Sequence, residues 1–578
     1  MKTKRKIHWI ALSGIYAAAM AGSAAAPAAD SPKAQFQTSD SCVACHNGMT
    51  TSTGEDYSIG VDWSTSVMAN ASRDPYWQAS LRRETMEHSE VAASIENECS
   101  ACHMPIPQYL TKQNGQLNPV FTRLPLHAGD KESADGVTCS ICHQITPQNL
   151  GTAASFNGNF IVNAPSPEGA HSEYGPFDIA PGMQHVMRTS TGGYQPQQGD
   201  QIRAAELCAS CHTLTTESRG ANGAVVGSLP EQRPYQEWLH SDFRNERTCQ
   251  SCHMPAVHDQ VPITRILGEP RPGAARHQFV AANFVMQRIL GRYHDELNVA
   301  AEPQEFFNAA DRTIRYLQSE AATLAVTSPQ IRASRLEADV TVNNLGGHKL
   351  PTAFPARRAW LHVIVRDRAR RIVFESGALR PDGSIAGNDN DEDPAKYEPH
   401  YTEIRASDQV QIYEAILGDQ EGRVTTGLLS AVDYLKDNRL LPRGFDKNTA
   451  AADIAVHGNA SADPAFTDRG HTLRYSIDVG DAVGPFSIDV ELWYQPIGFR
   501  WANNLKLYNA DEPHRFTAYF DSLGAVNAVM LVKSSSSTQR EGIGNTLRPV
   551  LHRHRQPRGE YRRSHAPSRQ PVDDANRA

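Results

Sequence analysis

All ten cysteines of this 578-residue chain fall into five copies of Cys-X-X-Cys-His, and none is left over. The copies are Cys42, Cys45 and His46; Cys99, Cys102 and His103; Cys139, Cys142 and His143; Cys208, Cys211 and His212; and Cys249, Cys252 and His253. With this spacing two thiols can add across the two vinyl groups of a haem, while the adjacent histidine ligates the iron from one face. The pattern predicts five covalently bound haem c groups.

Two other uses of these cysteines have to be weighed. Five disulfides would be ordinary in an exported chain with ten cysteines. Zinc bound by paired Cys-X-X-Cys units is the second alternative. Neither requires a histidine after every second cysteine, whereas haem attachment accounts for all fifteen motif residues. We therefore favour haem.

The sixth ligand of each iron decides what such a chain does. A low-spin electron carrier has histidine or methionine there, whereas a catalytic haem leaves the position open. Eight other histidines lie within residues 30–328: His88, His127, His171, His185, His240, His258, His277 and His294. We expect distal ligands among them to be His88, His171, His185, His240 and His277. A surface or propionate-binding histidine is the alternative for each, and Met68 is a rival ligand for one haem.

The spacing of the motifs predicts the organisation of the first part, residues 30–328. Five haems attach between Cys42 and His253, so little polypeptide is available per haem and the porphyrins must form much of the core. Residues here are rich in Pro, Gly and polar loops, which predicts short helices and coil. Two longer helices are predicted at residues 279–297 and 303–325. Haems packed this closely favour electron hopping.

A period of two begins beyond Pro329 and predicts a β-rich second domain over residues 329–538. The predicted strands are residues 336–342, 360–365, 409–416, 473–479, 486–494 and 516–520. Turn-forming residues separate them, as in a β-sandwich. The fold class is therefore α+β and multidomain: a mostly helical and coil haem module followed by a β-sandwich-like domain.

The two ends of the chain are basic. Residues 1–29 combine a basic start, a short apolar stretch and small residues, which predicts a cleaved signal peptide. Residues 539–578 are rich in arginine without periodicity, which predicts a disordered tail. The whole chain has a net charge of -8, so its body is acidic, which favours basic redox partners over nucleic acid. We expect a periplasmic, outer-membrane-associated or extracellular protein of a Gram-negative bacterium, with no stable membrane span after cleavage.

Several longer phrases resemble those of bacterial multihaem cytochromes c, in the lineage of the nitrifier tetrahaem cytochrome, nitrite reductase and hydroxylamine oxidoreductase. The phrases are Met68–Ala71 with Asp74–Trp77, Cys99–Pro105, Asp135–Gln144, Cys249–Pro255, Gly347–Thr352, Arg357–Trp360 and Lys436–Gly444. The resemblance implies an electron-transfer protein of respiratory chains, with histidine at most distal positions. Its partners would be other redox proteins: a quinol-linked donor and a terminal reductase or extracellular acceptor.

The chain also departs from the catalytic members of this lineage. Pentahaem nitrite reductases typically replace the histidine of the active haem by lysine, whereas all five motifs here end in histidine. Hydroxylamine oxidoreductases carry more haems and a crosslinking tyrosine. An electron relay is therefore the main hypothesis, and an enzyme with one open haem acting on a small nitrogen or sulfur compound is the alternative.

Two features of the second domain leave a choice open. His348, in a glycine-rich turn after a predicted strand, could ligate a haem or a metal, or be an ordinary turn histidine. Asn388–Asp393 could supply oxygen ligands to calcium, although such clusters are more often plain loops.

Overall fold

The computed structural model describes residues 34–124, 129–167 and 169–538. The predicted signal peptide (1–29), the predicted tail (539–578) and His127 lie outside the described residues. Among the described helices, none combines the length and apolar character that crossing a lipid bilayer requires.

The helices are short in the part that carries the five motifs, as the sequence predicts, and most motifs lie on them. They are α1 (Ser39–Val43), α2 (Ile59–Ser64), α3 (Pro75–Glu87), α4 (Ala92–His103), α5 (Pro105–Gln113), α6 (Val120–Arg123), α7 (Lys131–Ala134), α8 (Cys139–Gln144), α9 (Pro181–Ser190), α10 (Ala205–His212), α11 (Pro234–Leu239), α12 (Cys249–His253), α13 (Phe284–Arg292), α14 (Pro303–Glu320), α15 (Asp389–Glu392), α16 (Phe499–Asn504) and α17 (Asp511–Asp521). Residues three apart share one face of a helix. Both cysteines of a motif on α4, α8, α10 or α12 therefore point to the same side.

The strands concentrate in the second half of the chain. They are β1 (His171–Gly175), β2 (Tyr194–Gln198), β3 (Leu214–Arg219), β4 (Val225–Gln232), β5 (Ala322–Val326), β6 (Gln330–Arg332), β7 (Arg335–Asn344), β8 (Arg358–Arg366), β9 (Ile372–Ser376), β10 (Glu403–Ile404), β11 (Ile412–Gly418), β12 (Val424–Thr425), β13 (Asp433–Asp437), β14 (Phe466–Thr467), β15 (Gly470–Asp478), β16 (Ser487–Gln495) and β17 (Val529–Ser537). This mixture confirms the α+β composition. The parallel pair β1–β2 and the antiparallel pair β3–β4 lie where only helices and coil were predicted.

Two larger sheets share one hydrophobic core. The first has the order β10-β15-β7-β5, with β14 on β15 and β6 on β7; the second has the order β12-β11-β8-β16-β17, with β13 on β11 and β9 on β8. Alternate residues of β7, such as Leu336 and Val340, are fully buried in this core, as are Val363 of β8 and Val490 of β16. The period of two that predicted these strands therefore marks their buried faces.

The prediction of a strand at residues 516–520 is wrong, because this segment lies in helix α17. Phe516, Tyr519 and Phe520 are buried and have the i, i+3, i+4 spacing of one helical face. The ring of Phe516 packs 5.0 Å from that of Tyr76 on α3, so the N-terminal and C-terminal parts share the core. The domain boundary at residue 329 remains a prediction.

Helix α3 also carries a buried acid that contacts the second half of the chain. Glu84 is 3% exposed, and its carboxylate accepts hydrogen bonds from the backbone N–H groups of Leu428 (2.8 Å) and Leu429 (3.3 Å). Burial raises the pKa of Glu84 from 4.5 to about 7, against the opposing charge of Arg83. The folded state thus holds this proton more tightly than the unfolded state does.

This raised pKa predicts a loss of stability with rising pH. Protonated Glu84 adds on the order of 3 kcal/mol to the free energy of unfolding. This stabilisation is complete below about pH 4.5 and is lost as the pH rises through about 7. Urea unfolding at pH 5 and pH 8 should show this loss in the wild type and a smaller one in Glu84→Gln. Glu98→Gln, at an exposed position of α4, is the control. Equal pH dependence in all three proteins would contradict the prediction.

Candidate cofactor cavity

One continuous cavity of about 1520 Å³ lies in the part of the chain that carries the five motifs. All ten motif cysteines and all five motif histidines line it. Sites for a single small molecule typically measure about 300–1000 Å³, so this space exceeds what one such ligand needs. The five attachment motifs, which span more than two hundred residues of sequence, therefore open into one shared space.

The thiols of different motifs approach one another in this cavity. In three pairs one thiol is near enough to raise the pKa of the other: Cys139 raises that of Cys42, Cys102 that of Cys211, and Cys249 that of Cys208. All ten cysteines are free thiols, so the disulfide alternative gains no support. Each contact joins two motifs, and the fourth motif takes part in two of the three.

Four of the motif histidines are oriented in the same way by the backbone. In each of them Nδ1 makes a hydrogen bond to a backbone carbonyl oxygen: His46 to Ile263 (2.6 Å), His103 to Ala71 (3.3 Å), His143 to Tyr174 (2.6 Å) and His253 to Val280 (2.5 Å). A carbonyl oxygen can only accept, so Nδ1 carries the proton and Nε2 keeps its lone pair. Metal-ligating histidines typically make this second bond, which fixes both the tautomer and the ring orientation.

The protonation state of these imidazoles also suits a ligand. Burial lowers the pKa of His46, His143 and His212, and it lowers the pKa of His103 and His253 to about 4. The rings are therefore neutral near pH 7, which is the form that binds a metal.

Two further histidines of the described chain line the cavity, His277 and His348. Their Nδ1 atoms also bond backbone carbonyls, those of Ala275 (3.2 Å) and Lys349 (3.0 Å). His277 faces the motif histidine His143 with ring centres 6.4 Å apart, and His348 faces His253 at 6.2 Å.

These separations match two imidazoles on opposite sides of one metal. An imidazole nitrogen lies about 2 Å from a metal that it ligates, so two opposed nitrogens are about 4 Å apart and the ring centres about 6 Å apart. The paired rings are also close to parallel, with interplanar angles of 21° and 13°. The residues present therefore fit a six-coordinate iron at the third and fifth motifs.

Four of the predicted distal ligands lie elsewhere. Within the described residues, His88, His171, His185 and His240 do not line the cavity. His185 is on the exposed side of α9, and the Nε2 of His240 bonds the carbonyl of Asp446 at 3.0 Å. His171 is buried beside the ring of Tyr194, and His88 is buried at the end of α3. Their ligation of a haem remains a prediction; Met68 does line the cavity.

The sequence offered one signal for His348, the two glycines before it. A Cβ atom on Gly347 would stand 3.2 Å from the side chain of Phe243 and 3.4 Å from that of Trp238, and both aromatic residues line the cavity. Glycine at this position lets the turn after β7 pack closely against the part that carries the five motifs. The turn thereby carries His348 to the cavity wall.

A buried ionic network holds this turn in place through Lys349, the residue after His348. The backbone N–H of Lys349 donates to Glu237 of α11 (3.1 Å), and its Nζ pairs with Asp437 at 2.7 Å. Arg439 pairs with Glu237 at 3.1 Å and with Asp437 at 2.7 Å. Burial alone would raise the pKa of Asp437, but Arg439 and Lys349 hold it well below its usual range. The network joins the part that carries the five motifs to the β-rich part.

The oxygen atoms of Asn388–Asp393 are used within the protein. Asp391 accepts two hydrogen bonds from Arg358, at 2.7 and 2.9 Å, and Asn388 caps α15 through the N–H of Asn390. The calcium alternative therefore gains no support, and most of the cluster forms the short helix α15.

Comparison with known proteins adds one distant likeness. No protein-family model and no curated protein matches the chain. Among solved structures, the chain is similar to a penta-heme cytochrome c552 from Thermochromatium tepidum, with 15% identity, 87% of this chain and 99% of that chain covered, and a TM-score of 0.49. A likeness at this level assigns neither a family nor a function.

Proposed function

We propose that this chain is an exported pentahaem c-type cytochrome that transfers electrons between respiratory redox partners through closely packed, mostly bis-histidine haems. The observation that carries the proposal is the shared cavity, which all fifteen motif residues line. Cysteine thiols would hold the haems by thioether bonds, and neutral imidazole nitrogens would ligate the irons. The bound haems supply one-electron chemistry.

The apolar wall of the cavity supports a porphyrin-sized occupant. Met183, Val186 and Met187 lie on one face of α9, line the cavity and are only half-buried. An apolar helix face of this kind needs a covering partner. A porphyrin plane offers such a partner, and its removal from water stabilises both surfaces.

The thiol contacts support a continuous electron path. Each thioether bond would hold a haem at its vinyl edge, so motifs whose thiols lie near one another would bring haem edges together. The contacts join motif one to three, two to four, and four to five. Cys142 of motif three also lies within electrostatic range of Cys211 in motif four. The inferred path is branched, with the fourth haem at its centre.

Location and partners follow from the ends and charge of the chain. The predicted signal peptide directs export to the periplasm, the outer membrane or beyond. The acidic body favours basic redox proteins and disfavours nucleic acid. A quinol-linked donor and a terminal reductase or extracellular acceptor fit these requirements.

A second candidate function is an oxidoreductase with one open-site haem that acts on a small nitrogen or sulfur compound. A specific observation favours it. In the part of the chain that the structure describes, only His277 and His348 join the motif histidines in lining the cavity. For His212 of the fourth motif no such partner is observed; burial, and after it the positive charge of Arg357, lower the pKa of this histidine.

Haem counting tests the main proposal. Intact mass and pyridine haemochrome absorbance of the mature wild-type protein should give five haems per chain. The double variant Cys249→Ala/Cys252→Ala should give four, since it lacks both thiols of one motif. Ser251→Ala changes a residue between those cysteines and should keep five. Fewer haems in the wild type, or five in the double variant, would contradict the proposal.

Spectroscopy separates the two functions. Electron paramagnetic resonance of the oxidised protein should show only low-spin haem if the chain is a pure relay. A stoichiometric high-spin haem that binds nitrite, hydroxylamine or cyanide would favour the enzyme instead.

A further inference from the structure

One short segment of the chain contacts two separate motifs. The N–H of Val280 donates to the carbonyl of His253 in the fifth motif (2.9 Å), and the carbonyl of Val280 accepts from the Nδ1 of the same histidine (2.5 Å). Three residues earlier, His277 faces His143 of the third motif. The backbone between His277 and Val280 therefore connects the surroundings of two motif histidines.

This backbone departs from regular pairing with the segment that follows the fifth motif. The N–H of Arg276 donates to the carbonyl of Pro255 at 2.9 Å, and a second hydrogen bond runs from Val280 to His253. Between these two bonds one segment advances by two residues and the other by four. The longer side must therefore bulge, and we call residues 277–279 the bulge. A bulge re-aims side chains, and this one turns its first residue toward the third motif.

Phe279 closes the bulge in an unusual backbone conformation. Its φ is +45°, in the left-handed region that glycine adopts readily and a bulky residue rarely does. Phe279 lines the cavity, and its ring packs edge-on against the imidazole of His277, with ring centres 5.9 Å apart and an interplanar angle of 87°. A strained residue persists where its surroundings hold it, and such residues concentrate at functional sites. The contact between the two rings supplies such a hold.

Arg370 has a similar backbone conformation in an ordinary turn. Its φ is +64°, and it lies exposed between β8 and β9, away from the cavity. The N–H of Arg370 donates to the carbonyl of Asp367 at 2.9 Å and closes this turn. Positive φ values are common in such hairpin loops, whereas Phe279 lies beside two histidines of the cavity.

We propose that the bulge positions two axial histidines together. The ring of Phe279 orients His277, which faces the third motif. The backbone conformation of Phe279 brings Val280 back to His253 of the fifth motif. The inference rests on the proposed function, because it concerns the imidazoles that would ligate the irons at these two motifs. Metal-ligating histidines depend on such outer contacts for the orientation of the ring.

The haems at the third and fifth motifs should therefore respond together to one residue. Phe279→Ala and Phe279→Gly both lack the ring, but alanine disfavours a positive φ roughly 5- to 30-fold more strongly than glycine does. Phe279→Ala should thus lose the ring contact and the bulge. Phe279→Gly should lose the ring contact and keep the bulge.

Electron paramagnetic resonance of the oxidised, haem-loaded full chain tests this difference. In Phe279→Ala the low-spin signals of both haems should change. The altered fraction of the haem at the fifth motif should be roughly 5- to 30-fold larger than in Phe279→Gly, where only the haem at the third motif should change. His277→Ala and His348→Ala, each of which removes one imidazole opposite a motif histidine, identify the signals of the two haems.

Phe279→Tyr keeps the ring and should retain the wild-type signals. Phe279→Asn tolerates a positive φ better than alanine; it should give an intermediate change and keeps the comparison with Phe279→Gly available if the alanine variant does not fold. The matched control is the pair Arg370→Ala and Arg370→Gly, in which no haem signal should change.

Two results would overturn the shared positioning. One is a wild-type signal of the haem at the fifth motif in both Phe279→Ala and Phe279→Asn. The other is an equal change of that signal in these variants and in Phe279→Gly. With five haems in the wild type, either result contradicts this inference alone. Fewer than five haems in the wild type, counted in the same samples, would overturn the proposed function itself.

Discussion

Replacing His348 by alanine is expected to convert one of the five haems from low-spin to high-spin, while the other four stay unchanged. His348 faces His253 at 6.2 Å, and its Nδ1 is held by a backbone carbonyl. Removal of the imidazole would leave the iron at the fifth motif with a vacant position, since a vacant sixth site typifies a haem open to exogenous ligands. Electron paramagnetic resonance and visible spectra of the oxidised variant measure the change.

The His348→Ala variant can be checked in two ways. Added imidazole should enter the vacated position and restore the low-spin spectrum. The matched control is His258→Ala, because His258 is exposed in the same part of the chain and does not line the cavity. A wild-type spectrum in His348→Ala, or a high-spin haem in the control, would show that this assignment of the axial ligand is wrong.

Replacing Asp437 by asparagine should destabilise the protein by about 3–5 kcal/mol, because it leaves Lys349 and Arg439 buried without their shared carboxylate. Arg474→Gln is the control, since it breaks an exposed pair with Asp339 that should contribute only about 0–1 kcal/mol. Denaturant unfolding at neutral pH measures both. Equal stability of the two variants would contradict the role of the network.

The same variant should also affect the turn that carries His348. Lys349 follows His348 directly and is held at both its backbone N–H and its side chain. In Asp437→Asn the turn loses the ion pair between Lys349 and Asp437. A fraction of the haem at the fifth motif should therefore become high-spin in this variant. In the wild type this ion pair is lost only in strong acid, because the pKa of Asp437 lies below its usual range in the folded state.

The attachment motifs and the buried strands could be predicted from the sequence because their determinants are local. Cysteines three residues apart share a helix face wherever they occur, and alternation along Leu336 to Val342 identifies a buried strand face. The prediction of a strand at residues 516–520 failed because a short apolar run suits either element. The helical spacing of Phe516, Tyr519 and Phe520 became decisive only through their contact with α3.

Which spare histidines line the cavity was decided only by the tertiary structure. The sequence offered eight candidate histidines within residues 30–328, and only the fold separates His277, which faces the cavity, from His185, which faces solvent. His348 reaches the cavity from a different part of the chain, held there by Glu237 and Asp437. Covalent attachment depends on neighbours along the chain, whereas ligation from the opposite side depends on long-range packing across the cavity. The sequence by itself thus predicts where haem would be attached, and the tertiary structure decided which motif histidines have another histidine opposite.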